Sequence, residues 1–175
     1  VQPNLVESWE FSDDGKIFTL HLREGLRWSD GAPWNANNLA YWWDNDLLND
    51  ELSPSKPTRY TPGGELATFE QVDDLTVRWI FAVPHPTITL EFAHAEGVNI
   101  LRGTCQHYLE QYHPNFVEQA DLDQIVADEG FEFWYELYGN RRGDASYGMP
   151  RQHVEMPTLT AHKLKQPLKD NLWVL

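Results

Sequence analysis

Residues Leu22–Trp43 read LREGLRWSDGAPWNANNLAYWW, and their reading decides the fold. An extended run comes first, then a Ser29-Asp30-Gly31 turn, then a helix start. Asn35 is the expected N-cap, because its short side chain can accept a hydrogen bond from the first free helical amides. The helix is expected to run to about Leu48, with Leu39, Trp42, Trp43 and Leu47 on one apolar stripe. Trp28, Trp34, Trp42 and Trp43 make the span dense in indole, which suits either an aromatic core or a stacking platform for a ligand. Helical spacing assigns Trp42 and Trp43 to a core. Trp34, just before the cap, fits either a packing residue or a cleft residue.

Outward from this stretch, the pattern turns to strands. Leu5 to Phe11 alternates apolar and polar, Asp13-Asp14-Gly15-Lys16 supplies turn chemistry, and Lys16 to Arg23 alternates again. This predicts a β-hairpin with Phe18, Leu20 and Leu22 on its buried face. A second hairpin is expected from Ala67 to Val72 and Leu75 to Phe81 around Asp73-Asp74, with Leu75, Val77, Trp79 and Phe81 sharing a face. Between them, Asn49 to Gly64 is a loop rich in Pro, Ser, Thr and Gly. Short helices are predicted over Thr87 to His94, Thr104 to Tyr112, Asp121 to Asp128 and Phe131 to Tyr138, the last ended by Gly139. Asn140 to Thr160 reads as a long loop. Strands and helices are mixed without βαβ alternation, so the fold class is α+β: antiparallel hairpins with packed short helices.

The chain has 175 residues and a formal net charge of −14. One domain, 1–175, is the expectation at this length. The charge excludes nucleic acid and anionic membrane surfaces as natural partners, since phosphate binding needs a surplus of Lys and Arg. A single cysteine, Cys105, excludes an internal disulfide and is expected as a small buried apolar residue. No run is apolar enough for a membrane span, and no signal peptide is visible. The chain opens on Val1 and closes on the apolar Leu172-Trp173-Val174-Leu175. Exposed apolar ends are costly, so a piece cut from a longer protein is expected.

Several motifs occur in an order and spacing that resemble the extracellular solute-binding proteins of peptide-type ABC importers, the class with oligopeptide-, dipeptide- and nickel-binding members. They are Pro3-Asn4-Leu5-Val6-Glu7-Ser8-Trp9-Glu10, Ser12-Asp13-Asp14-Gly15-Lys16, Phe18-Thr19-Leu20-His21-Leu22-Arg23 and Trp28-Ser29-Asp30-Gly31-Ala32-Pro33. Val72-Asp73-Asp74-Leu75-Thr76-Val77 and Leu101 with His107-Tyr108-Leu109-Glu110 follow. The likeness is strong over Pro3 to Pro114. Asn37-Asn38 departs from the acidic residue usual in the first helical turn, and Gly103-Thr104-Cys105-Gln106 departs from the usual approach to His107. The resemblance implies a subdomain of the first lobe of a two-lobed, periplasmic-binding-protein-like fold. It also implies an exported, monomeric receptor that closes its lobes around a peptide or oligosaccharide and delivers it to permease subunits, without catalysis or cofactor. The rival reading is an aromatic-rich carbohydrate-binding module or glycosidase fragment.

Candidate site residues follow from residue chemistry. The loop Leu52 to Pro62 carries Lys56, Arg59 and Tyr60, where exposed aromatic and basic groups can grip a peptide carboxylate or a sugar. Trp34, Arg59 and Tyr60 are therefore the expected ligand contacts. His85, His94, His107 and His113 are possible metal ligands, yet their spacing gives no full ligand set, and no metal site is expected. Glu132 with Glu136, and Glu7 with Glu10, have the types of a catalytic carboxylate pair but read as helix- and strand-surface acids. No phosphate loop, nucleophile elbow or Cys-His arrangement is apparent.

Overall fold

A computed structural model describes residues 5–93, 104–142, 153 and 155–159. Four strands form one antiparallel sheet in the order β1-β2-β4-β3: β1 Val6–Phe11, β2 Ile17–Leu22, β3 Thr68–Gln71 and β4 Thr76–Ile80. The two expected hairpins are both present. They join through β2 and β4, in a register that sets Phe18 beside Trp79 and Leu20 beside Val77. The first turn is tied by the Asp14 carboxylate, which accepts from the Ser12 hydroxyl at 2.6 Å and the Lys16 amide at 3.1 Å. Asp73 does the same for the second, accepting from the Leu75 amide at 2.8 Å.

Register aligns one aromatic from every strand. Phe11, Phe18, Trp79 and Phe69 form a row across the sheet, with ring centroids 5.0, 6.2 and 5.2 Å apart. Trp43, Tyr60 and Phe92 cover that row: Trp43 stacks on Phe69 at 5.4 Å, and Phe92 lies 5.1 Å from Trp79. Each such pair adds about 0.5–1.5 kcal/mol beyond area burial, so this double layer is the main core.

Helix α1, Ala36–Tyr41, starts as expected. The Asn35 side chain accepts from the Asn37 amide at 3.1 Å, and the Asn38 side chain returns a bond to the Asn35 amide at 3.1 Å, closing a capping box. It then widens into a π-helical turn, Trp42–Leu47, whose closing bond runs from the Leu48 amide to the Trp43 carbonyl at 3.0 Å. Leu39, Trp42, Trp43 and Leu47 are all buried, as the apolar stripe requires.

Four further helices follow: α2 Ile88–Ala93, α3 Gln106–Leu109, α4 Gln119–Asp128 and α5 Trp134–Arg142. Helix α4 ends in a left-handed glycine. Gly130 has φ +78°, and the Gly130 and Phe131 amides bond back to Ala127 and Val126. Leu122 and Val126 of α4 and Leu137 of α5 form a small second core, joined to the first through Tyr112 and Trp134. Gly139 does not end α5, contrary to expectation. The helix runs on to Arg142 because Arg141 ion-pairs with Glu129 and Arg142 with Asp46 at 3.3 Å, fixing the last turn. The expected loop Asn140 to Thr160 therefore begins later. Residues 143–152, 154 and 160 lie outside the described residues, as do 94–103 with His94 and Leu101. No helix among the described residues is long and apolar enough to cross a membrane.

Candidate functional site

The expected ligand contacts divide on burial. Trp34 is 2% exposed and packs in the main core, held by its amide bond to the Leu26 carbonyl at 2.9 Å. Tyr60 is 0% exposed, so the exposed loop aromatic anticipated from sequence is corrected. The reason is local. A 3-10 turn, Thr58–Tyr60, points the ring inward against Trp42, Trp43 and Phe92, and the Ala67 amide fastens the Tyr60 carbonyl at 2.7 Å. Burial pushes the Tyr60 phenol well above its ordinary range. Arg59, the neighbour on that turn, keeps part of its side chain in solvent and lies 4.0 Å from the Glu91 carboxylate. His85 approaches the same carboxylate at 3.8 Å, so turn, α2 and the Pro84–Pro86 bend converge on Glu91. Lys56 is committed to Asp50 at 2.9 Å and the Ser53 carbonyl at 2.8 Å.

A second constellation was not legible from motif spacing. Cys105 Sγ lies 3.5 Å from His107 Nδ1, and His107 Nε2 lies 2.7 Å from Asp30 Oδ2. The order Cys-His-Asp has the shape of a nucleophilic triad, against the sequence reading that no Cys-His arrangement exists. Its chemistry is absent. The thiol is buried, and burial pushes it up to about 12, so the nucleophilic thiolate is negligible at neutral pH. Burial acts to raise Asp30, but its bonds to the His107 ring and the Ala32 amide outweigh that and hold it below the usual carboxylate range. The cluster instead locks the Trp28–Gly31 turn. The Ser29 amide donates to the Thr158 carbonyl at 2.9 Å, and the Thr158 amide donates to Ser29 Oγ at 3.0 Å. The turn thereby clasps residues 155–159.

The remaining candidates have structural partners. His113 is fully buried, with Nε2 donating to the Asn45 carbonyl at 3.3 Å and the Asn115 amide donating to Nδ1 at 3.2 Å. Glu136 accepts from the Glu132 and Phe133 amides at 3.2 Å and caps α5, so it does not face Glu132 as a catalytic partner. Glu10 approaches His21 at 3.4 Å on the outer face of the sheet. No group of three metal-ligating side chains occurs among the described residues.

Behind helix α1 lies a buried relay. Tyr138 donates to Asp46 Oδ1 at 2.5 Å, and the Tyr41 hydroxyl lies 3.2 Å from that of Tyr138. The Tyr138 proton is used on Asp46, so Tyr41 is the donor to Tyr138. Burial and the Asp46 charge push the Tyr138 phenol far up, which keeps it a donor.

An antiparallel four-stranded sheet closed on one face by a capped helix, with a clasped return segment, is the architecture expected of the solute-binding class. Residues 1–132 match the bacterial extracellular solute-binding proteins, family 5 Middle, and the chain belongs to that family. It is 37% identical over 159 residues to the periplasmic alpha-galactoside-binding protein of Rhizobium meliloti (strain 1021), covering 91% of this chain and 20% of that protein. A solved oligopeptide-binding protein OppA superposes with a TM-score of 0.78 at 28% identity, over 96% of this chain and 24% of that one. The periplasmic binding protein MelB of agrobacterium fabrum C58, solved in complex with stachyose, gives a TM-score of 0.57 at 25% identity, over 89% of this chain and 20% of that one. The chain thus spans a fifth to a quarter of these relatives. These relatives are binding proteins, and the rival glycosidase or stand-alone module reading gives way to the family.

Proposed function

We propose that this chain is one subdomain of a longer, monomeric, exported receptor for an ABC importer, which captures an oligosaccharide outside the cytoplasmic membrane and hands it to permease subunits. It binds without catalysis. The observation that carries the ligand class is the 37% identity to an alpha-galactoside-binding protein, which extends over 91% of this chain. A peptide ligand is the second reading, favoured by the TM-score of 0.78 to an oligopeptide-binding protein. Of Trp34, Arg59 and Tyr60, we assign direct ligand contact to Arg59, whose side chain is 18% exposed. Trp34 and Tyr60 hold the loop that carries it.

The test is thermal unfolding of the full-length protein with stachyose or with a mixed tetrapeptide. A ligand at a hundredfold its Kd stabilises by about 2.7 kcal/mol, a readable shift. Stabilisation by stachyose alone is the expected result. Stabilisation by the peptide alone selects the second reading, and no shift with either class overturns both. Light scattering checks the monomer.

A further inference from the structure

Helix α5 begins on a surface that ligand capture leaves unused. Phe133 is 43% exposed and Phe116 47% exposed. The Phe133 and Tyr135 rings lie parallel, 6° apart in plane, with centroids at 5.1 Å. Trp134 meets Tyr135 edge-on at 6.2 Å and His113 at 4.9 Å, and His113 in turn meets Phe116 at 5.9 Å. Phe116, Trp134, Tyr135 and Phe133 are therefore one continuous aromatic face.

Carboxylates rim it. Glu51 accepts from the Trp134 indole at 2.8 Å, and Glu136 sits under the Glu132 and Phe133 amides at 3.2 Å. The Tyr135 phenol is raised first by local desolvation and then by Glu136, Glu51 and Glu132, which agrees with three negative groups around its ring. None of the three forms an ion pair with a described Lys, Arg or His. The chain as a whole carries −14.

Exposed aromatic patches with polar rims mark interaction surfaces. The rim decides the partner's chemistry. Ring faces are electronegative, and so is every flanking side chain, so the field favours a cation over the rings. A sugar also stacks on aromatics, but its hydroxyls need donors as well as acceptors, and among these flanking side chains the Tyr135 hydroxyl is the one available donor. We propose that this face docks an arginine- or lysine-bearing segment of a partner protein, its cationic head over Phe133 and Tyr135 and against Glu132. This surface is separate from the ligand contact assigned to Arg59.

The experiment uses the full-length protein and a blocked Arg-Gly-Arg peptide tethered to a sensor surface, with blocked Glu-Gly-Glu as control. Binding to the arginine peptide alone is expected. The charge-neutral pair Phe133→Leu with Tyr135→Leu should weaken it by about threefold or more, while Tyr135→Phe, which keeps the ring, should bind like the parent. Glu132→Gln should weaken binding at low ionic strength and little at high. If the leucine pair unfolds, the single Phe133→Leu variant gives the same reading. No binding to the arginine peptide overturns the proposal. So does a leucine pair that binds as tightly as the parent, because general acidity then explains the attraction. Loss of stachyose stabilisation in the leucine pair with peptide binding unchanged also overturns it, in favour of a sugar platform.

Discussion

Replacing Tyr138 by phenylalanine removes one oxygen from the middle of a buried relay. The order of donation is Tyr41 to Tyr138 to Asp46, at 3.2 and 2.5 Å. Asp46 is 1% exposed, and its other oxygen, Oδ2, has no hydrogen-bond donor, only the Arg142 guanidinium at 3.3 Å. Tyr138→Phe thus takes the hydrogen bond from a buried carboxylate and also strands the Tyr41 hydroxyl. A bond to a charged group contributes about 1.5–3 kcal/mol and a neutral one about 0.5–1.5, so the loss should be on the order of 3 kcal/mol. Tyr41→Phe removes only the outer, neutral bond and should cost about 1 kcal/mol. In a domain of this size each kcal/mol moves Tm by about 2–4 °C. Urea unfolding of both variants, followed by tryptophan fluorescence, measures the contrast. A Tyr138→Phe loss no greater than that of Tyr41→Phe would refute the order of donation and the dependence of Asp46 on it.

Three further outcomes follow from single features. Burial lowers His113 below its ordinary 6.5, and its Nδ1 accepts the Asn115 amide, so the folded state needs the neutral ring. Its contribution is complete above 6.5 and is lost as pH falls from there through the folded pKa; Tm should decline over that window, and His113→Gln should flatten the decline. Gly63 has φ +76°, and an added Cβ would meet Val83 Cγ1 at 3.1 Å and Cγ2 at 3.2 Å. Gly63→Ala should cost about 1–2 kcal/mol or more in a denaturation curve, and a neutral result would show that the turn relaxes. Cys105, buried and raised to about 12, should resist iodoacetamide at mildly alkaline pH and react fully in urea. Rapid labelling of the folded chain would contradict its burial.

Local signals carried the strands and the first helix. Alternation placed Phe18, Leu20 and Leu22 inward, and Asn35 announced its own cap, because both patterns act within a few residues. Contacts across long separations left no such trace. Asp30 and His107 are 77 residues apart and Asp46 and Tyr138 are 92 apart, so nothing in the local sequence pairs them. Tyr60 misled for a different reason. Its Pro- and Ser-rich surroundings read as solvent loop, yet one 3-10 turn is enough to put the ring into the core. Gly139 misled because the end of α5 is set by its arginines and their distant acids. The aromatic face at Phe133 and Tyr135 had a signal in the run FEFWYE, but the run reads equally as the start of an amphipathic helix.

The π turn at Trp42–Leu47 has a consequence for how this segment can change. It buries Trp42, Trp43, Asn45, Asp46 and Leu47 together, more of the circumference than one face of a regular helix offers. Deleting a single residue there would let the turn tighten to the α geometry, rotating everything beyond it by about 100°. Asp46 would swing away from Tyr138, and Leu47 out of the core. The segment should therefore accept substitutions of like size at its tryptophans while rejecting any change in length, so length at this turn is a more stringent requirement than the identity of any one side chain in it.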